Sequence, residues 1–416
     1  MHRIKQLVPQ SVKNLYHLVM AVLANVRYGF PAREIPVVAV TGTDGKTTTC
    51  AMLRAICEEA RKKVALASTV EFCLDGKCEV NKTKFTTLSS WKLQNFLRRA
   101  VAEKCDVVIL EVSSHSLDQN RMWGIRPEAA VLTNITREHL DYHKTMERYR
   151  NAKKKLFRVA KCSIINAKLE NVDDFTKDLE DVVFYNDAQT EASFDLALPG
   201  RHNVENAMAA IVAAGAMGVD RETASRAMAN FRGVPGRFER VENDRGIEII
   251  IDYAVTPAAL EKFYATLSLM RERDARIIAV FGACGDRDRG KRPMMGSIVD
   301  RVADVIILTN EDPYWEDPER ILDEMEGGIT FSENSPETPS IPPGHLPRRG
   351  RGRIRGETYF RIFDRREAIA KALGLAKPGD IVAITGKGAE ETMMIRGEMI
   401  PWNDKKAVEG VLKGSA

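Results

Sequence analysis

Three short stretches gather the residue types that handle phosphate and a divalent cation. The first is Val37-Val38-Ala39-Val40-Thr41-Gly42-Thr43-Asp44-Gly45-Lys46-Thr47-Thr48-Thr49, which reads strand, glycine loop, helix. Glycines in such a loop let backbone N–H groups close around phosphate oxygens at a helix N-terminus, where the dipole favours anions. Lys46 then reaches the β- and γ-phosphates, and the Thr47 hydroxyl is placed to ligate Mg²⁺. The loop is shorter than the common GxxxxGK[ST] form, but strand before and helix after point to a bound nucleotide. The second stretch, Ile109-Leu110-Glu111-Val112-Ser113-Ser114-His115, puts a carboxylate directly after a buried apolar strand. That position is the carboxyl edge of the sheet, where Glu111 can hold a hard, oxygen-seeking cation. The third, Thr133-Asn134-Ile135-Thr136-Arg137-Glu138-His139-Leu140-Asp141-Tyr142-His143, crowds two histidines and two acids behind one strand in a chain with seven His. His139 is a candidate metal ligand there.

These residues need strands to aim them. From Val37 onward β-branched runs alternate with helix-period segments: Val37–Val40, Val107–Leu110, Ala130–Thr133 and Ser163–Asn166 read as strands, Ser90–Ala102 and Thr145–Val159 as helices. Such alternation predicts an α/β fold with a mostly parallel sheet covered on both faces. The pattern restarts after a connector near Gly233–Gly236, with Ile247–Asp252, Ile277–Phe281, Val305–Leu308, Phe360–Phe363 and Ile381–Thr385 as strands of a second sheet. The expectation is a helical segment over 1–36, a P-loop central domain over 37–235 and a Rossmann-like C-terminal domain over 236–416. Within the last, 331–357 is rich in Pro, Ser, Gly and Arg, with Pro342-Pro343 and Arg348-Arg349-Gly350-Arg351; it reads as a disordered surface insertion.

Bulk properties narrow the function classes. A chain of 416 residues with a net charge of +4 is long for one core and only mildly basic, which does not suit nucleic acid, since that calls for a concentrated basic face. Seven scattered cysteines without a Cys-x-x-Cys pair argue against a zinc site or a disulfide framework and for a reducing cytoplasm. Cys73 and Cys78 bracket a turn at Leu74-Asp75-Gly76-Lys77. No signal peptide is evident. The apolar run Leu15–Val26, interrupted by His17 and Asn25, is shorter than the ~20 residues that span a bilayer. It reads as a helix packed on the first domain, with a weak membrane-surface contact helped by Lys5, Lys13 and Arg27 as the alternative; stable membrane insertion is not expected.

Taken together the motifs resemble the Mur ligases, over Val37 to Thr392, and within that family the branch that adds the third residue of the peptidoglycan stem peptide. Thr41–Thr49 resembles TGTNGKTTT with Asp44 for Asn, Glu111–His115 resembles EVSSH, and Thr133–His143 resembles TNLSxDHLDYH. Ala152-Lys153 followed by Leu156-Phe157 resembles the helix whose lysine is carbamylated in the family. Leu198–Ala207 resembles LPGxFNVxNALAA, Gly233–Glu239 resembles GVPGRxE, and Phe281–Pro293 resembles VFGxGGDRDxGKRP. Asp364–Ile369 and Gly386-Lys387-Gly388 complete the series. The resemblance implies ATP-dependent amide-bond formation through an acyl phosphate, joining an amino acid to a nucleotide-linked muramoyl peptide with ATP and Mg²⁺ as the cofactors. By the same resemblance Lys46, Lys153 and His139 are catalytic. Thr47, Glu111, His139 and carbamylated Lys153 hold metal. Gly42, Thr43, Asp44, Gly45, Lys46, Thr47, Thr48, Asn203, Arg237 and Asp252 bind nucleotide, which implies closure of the two halves. Thr86, Thr87, Ser113, Gln119, Arg121, Arg292, Asp312 and Glu390 fall on the substrates.

Four departures from the family pattern matter. About 36 residues precede the first strand, too few for the family's N-terminal uridine-binding domain, so an acceptor without UDP, or a weaker grip on it, is one expectation. DNPR reads Glu311-Asp312-Pro313-Tyr314; without the arginine fork, diaminopimelate is disfavoured, and the expectation is that Asp312 attracts a cationic side chain such as lysine's. DYAHTP reads Asp252-Tyr253-Ala254-Val255-Thr256-Pro257, and GKGHE reads Gly386-Lys387-Gly388-Ala389-Glu390, each without its histidine. A ligase on another peptide or polymer acceptor and a non-catalytic nucleotide-binding regulator are the alternatives. A P-loop kinase or GTPase would carry a longer Walker loop and base-reading motifs that are not found.

Overall fold

The computed structural model describes residues 9–83, 85–186, 194–331 and 356–414; most of the Pro/Arg-rich stretch, residues 332–355, lies outside them. The chain divides into two compact units, one ending at Arg232 and the other starting at Gly233.

The first unit is built on an eight-stranded sheet in the order β4-β3-β2-β5-β1-β6-β7-β8. Its strands are β1 (Val37–Thr41), β2 (Val64–Ala67), β3 (Glu71–Leu74), β4 (Lys77–Val80), β5 (Val107–Glu111), β6 (Ala129–Leu132), β7 (Cys162–Asn166) and β8 (Val182–Tyr185). From β2 to β8 across the sheet every pairing is parallel, while β3 and β4 add an antiparallel hairpin at the edge. β1, β2, β5 and β6 are buried at every residue, as expected of parallel strands covered on both faces. Its longer helices include α1 (Gln10–Tyr28), α2 (Lys46–Glu59), α3 (Ser90–Ala102), α4 (Met146–Phe157) and α5 (Arg201–Ala216). Thr145 caps α4, its hydroxyl accepting from Arg148 N, so the helix starts one residue later than the sequence pattern suggests.

Helix α1 packs through its small side: Ala21, Ala24 and Asn25 are buried. Three side chains tie it to the loops after β5 and β6. Gln10 Nε2 donates to Tyr142 Oη at 2.6 Å, Asn14 Nδ2 to Asp118 Oδ2 at 3.0 Å, and Asn25 Nδ2 to the Trp123 carbonyl at 2.9 Å. Among the described residues no helix is long and apolar enough to cross a membrane.

The hairpin corrects the expectation of unpaired cysteines. Its register sets Cys73 directly opposite Cys78, and the two are joined by a disulfide. A Cys-x-x-Cys search misses them because they are neighbours across a turn at Asp75 and Gly76, both with positive φ, and not along one strand. The other cysteines, Cys50, Cys57, Cys105, Cys162 and Cys284, are free thiols.

The second unit holds a six-stranded sheet ordered β13-β12-β11-β14-β10-β9, with β9 (Glu239–Val241), β10 (Glu248–Asp252), β11 (Ile277–Phe281), β12 (Val305–Leu308), β13 (Tyr359–Arg361) and β14 (Ile381–Thr385). Only β9 runs antiparallel. A separate hairpin, β15 (Thr392–Ile395) with β16 (Glu398–Pro401), was not legible as strands. Apolar clusters fill both faces of the sheet, one against α6 (Pro257–Met270) and α7 (Arg292–Val302), the other against α8 (Arg365–Leu375). This is the doubly covered α/β architecture that strand–helix alternation implies.

Candidate functional site

In the first unit the carboxyl ends of β1, β5 and β6 lie side by side, so the three chemistry-bearing stretches converge on one edge. Gly45 adopts φ +81°, and a Cβ there would run into Asn206 Oδ1 of α5. At Gly42 a Cβ would strike Thr133 Oγ1. The loop is thus narrowed to bare backbone by its neighbours, a cradle of N–H groups at the start of α2. It is pinned from the β6 end: Asp44 N donates to Asn134 Oδ1 at 2.9 Å, and the Thr133 hydroxyl and Asn134 amide donate to Asp44 O at 2.6 and 3.1 Å.

Lys46 folds over this loop, its Nζ donating to Gly42 O at 3.1 Å and Thr43 O at 2.6 Å. The Thr47 hydroxyl donates to both carboxylate oxygens of Glu111 at 3.1 Å. Glu111, only 2% exposed, also accepts from Thr69 N at 2.7 Å and the Thr69 hydroxyl at 2.9 Å. Hydroxyl and carboxylate oxygens fixed together beside a phosphate cradle are the donor set that Mg²⁺ takes, so the residues fit that ion. Thr69 escaped sequence reasoning because it sits in a turn with no motif of its own.

Lys153 is buried and its Nζ donates to Gly42 O at 2.7 Å. Burial first, then the neighbouring Lys46 ammonium, holds its pKa well below the ordinary lysine range. Its Nζ stands 4.6 Å from the centre of the Tyr149 ring, which also lies 6.1 Å from the His139 ring and whose hydroxyl meets Thr43 Oγ1 at 3.0 Å. Tyr149 therefore gathers loop, lysine and histidine; the signal for it was its place one turn before Lys153 on α4. His139 takes a left-handed backbone (φ 58°) and packs edge-on to His115 at 4.7 Å. His143 is buried against Ser114 Oγ at 3.0 Å, and desolvation lowers its pKa to about 4.

Beside this centre lie most of the residues expected on the acceptor. Thr86 Oγ1 lies 3.1 Å from Thr69 Oγ1, and Thr87 Oγ1 accepts from Ser113 N at 2.9 Å. Arg121 donates to Thr87 O at 3.4 Å and Gln119 to Tyr142 Oη at 3.4 Å. Thr48 is buried in the first turn of α2, and Asn203 near the start of α5 donates to Pro199 O at 2.7 Å.

The second unit holds the rest. The Arg237 guanidinium stacks over Tyr253 at 4.4 Å, and Asp252 Oδ2 accepts from Phe238 N at 2.7 Å. Asp312, expected to await a cationic side chain, is already paired: Lys387 Nζ lies 2.9 Å from it, and Met394 N donates to its other oxygen at 2.6 Å. Lys387 also pairs with Glu390. Against burial, which pulls its pKa down, Glu390 and Asp312 hold this lysine firmly charged. Arg292, expected on the substrate, is 0% exposed; it binds Glu316, Glu324 at 2.6 Å and the Cys284 carbonyl at 3.0 Å. It organises acidic groups and does not present an open fork.

Comparison with known proteins agrees with this geometry. Residues 40–191 match the Mur ligase middle domain and residues 236–388 the Mur ligase glutamate ligase domain. A UDP-N-acetylmuramoyl-L-alanyl-D-glutamate--2,6-diaminopimelate ligase of Syntrophomonas wolfei is 35% identical, over 95% of this chain and 82% of that protein. A solved structure of an enzyme with the same name has 31% identity and a TM-score of 0.58, covering 91% of this chain and 78% of the other. The folylpolyglutamate synthase of Mycobacterium tuberculosis, solved with ADP and AMPPCP, shares the fold at a TM-score of 0.68 and 17% identity, over 89% of this chain and 92% of that one.

Proposed function

The chain belongs to the Mur ligase family, and from that premise we propose that it joins an amino acid to the free carboxylate of a UDP-N-acetylmuramoyl-L-alanyl-D-glutamate-like acceptor at the expense of ATP. The observation that carries this reading is the joined set Lys46–Thr47–Glu111 beside the buried Lys153. The loop N–H groups and Lys46 neutralise the ATP phosphates and hold the terminal one for attack. An acceptor carboxylate oxygen bonds to the γ-phosphorus while the bond to ADP breaks, giving an acyl phosphate. The amino acid's neutral amine then attacks the acyl carbon, inorganic phosphate leaves with the C–O electron pair, and the amine gives up a proton. Positioning and charge neutralisation supply most of the rate.

Mg²⁺ held by Thr47 and Glu111, with a second site at His139 and carbamylated Lys153, would add positive charge against the phosphate oxygens. The lowered pKa of Lys153 supports that modification, because only a neutral amine attacks CO₂. Thr86, Thr87, Ser113, Gln119 and Arg121 hold the acceptor in this reading, while Asn203, Arg237 and Asp252 contact the nucleotide. Asp312, Lys387, Glu390 and Arg292 form the charged surroundings of the incoming amino acid. The use of ATP and a nucleotide-linked acceptor in this reading supports a cytoplasmic reaction.

The test is phosphate release from ATP and Mg²⁺ with UDP-muramoyl-dipeptide and amino acids supplied singly. Release that requires both, a tripeptide product by mass, and its loss in Lys46→Ala are expected. Full activity in Lys46→Ala, or ATP binding without release for any amino acid, overturns the reading.

A further inference from the structure

Helix α1 turns its larger apolar side chains away from the protein. While Ala21, Ala24 and Asn25 are buried, Val12, Leu15, Tyr16, Val19, Leu23 and Val26 are 48–63% exposed. Positions 12, 16, 19, 23 and 26 step by four and three residues, so they form one stripe along the helix. An ordinary surface helix does the reverse, burying this face and wetting the polar one.

The charges in the segment that carries the stripe have one sign. The first 33 residues contain five Lys or Arg (Arg3, Lys5, Lys13, Arg27, Arg33) and no acid; the first carboxylate is Glu34. On α1 itself Lys13 and Arg27 stand on one flank of the stripe, Arg27 being exposed.

We propose that α1 lies flat on an anionic lipid bilayer, with the apolar stripe at the boundary between headgroups and acyl chains and Lys13 and Arg27 on lipid phosphates. Helices that bind in this way combine an apolar face with basic flanks and need not span the bilayer. A second copy of the chain fits less well. Six half-exposed side chains offer on the order of 500 Å² of apolar surface, below the roughly 800 Å² per partner of a stable interface, and self-pairing would bring like charges together.

The test uses the full chain, without nucleotide or acceptor, so it is independent of the ligase reading. Co-sedimentation is measured with vesicles of phosphatidylglycerol mixed with phosphatidylcholine, and with phosphatidylcholine alone. Binding to the anionic vesicles should weaken with salt and fall about tenfold or more in Leu15→Gln/Leu23→Gln. The unchanged helical circular dichroism of that variant, whose two leucines are half-exposed, shows that it remains folded. No binding to anionic vesicles, equal binding to both vesicle types, or full binding by the double variant overturns the proposal. Self-association in solution that the double variant abolishes also overturns it, and assigns the stripe to a second copy.

Discussion

Replacing Lys153 by methionine should stabilise the protein and stop turnover in the same variant. The side chain is 1% exposed, and burial followed by Lys46 drives its pKa well below the ordinary lysine range. Keeping an amine of that ordinary pKa neutral at pH 7 costs up to about 5 kcal/mol. The folded-state pKa is lowered, so below the unfolded value the unfolded chain binds the extra proton. Stability therefore rises with pH toward that value, and the penalty is present at neutral pH. Methionine has no proton to lose, keeps the length of the side chain, and puts a thioether near the Tyr149 ring that Nζ now faces at 4.6 Å. Loss of the 2.7 Å bond to Gly42 O returns about 1–2 kcal/mol. The net gain is at most about 3 kcal/mol, or up to several degrees in the thermal midpoint. Thermal unfolding in bicarbonate-free buffer at pH 7 and again near pH 10 reads it: the gain should be large at the first and shrink at the second. Phosphate release should fall by about 10²-fold or more. A lower midpoint at pH 7, a gain equal at both pH values, or retained turnover refutes the reasoning.

Two further outcomes follow from the same site. Gly45→Ala forces a side chain into a left-handed backbone position against Asn206; it should cost about 1–3 kcal/mol and raise the KM for ATP, read by thermal unfolding and by a substrate titration. His143, with its pKa lowered from 6.5 to about 4 by burial, is neutral in the folded state, so the unfolded chain takes the proton first. Stability from this group is full above pH 6.5 and lost as pH falls toward 4, on the order of 2 kcal/mol after allowance for solvent screening; His143→Phe should flatten that part of the denaturation profile.

Much of the fold and the site was legible because it is local. A glycine loop between strand and helix, a carboxylate at a strand end and the strand runs of both sheets are each written within a dozen residues. What escaped depends on neighbours far along the chain. Thr69 supports Glu111 across 42 positions, and Tyr149 touches Thr43 across 106. The Cys73–Cys78 bond follows from the pairing register of two short strands, and spacing rules for metal sites do not encode register. For α1 the apolar run pointed to a helix packed on the first domain but not to which side faces the protein. The answer lay in the small residues, whose close packing left the large ones outside.

The three hydrogen bonds from α1, to Tyr142, Asp118 and the Trp123 carbonyl, have a thermodynamic consequence. They fasten the helix to the segment that carries Gln119 and Arg121 and to Tyr142, to which Gln119 also donates. A ligand on the outer face of α1 and a ligand beside those two residues then act on one shared set of contacts. Any factor by which the first tightens the second is the factor by which the second tightens the first.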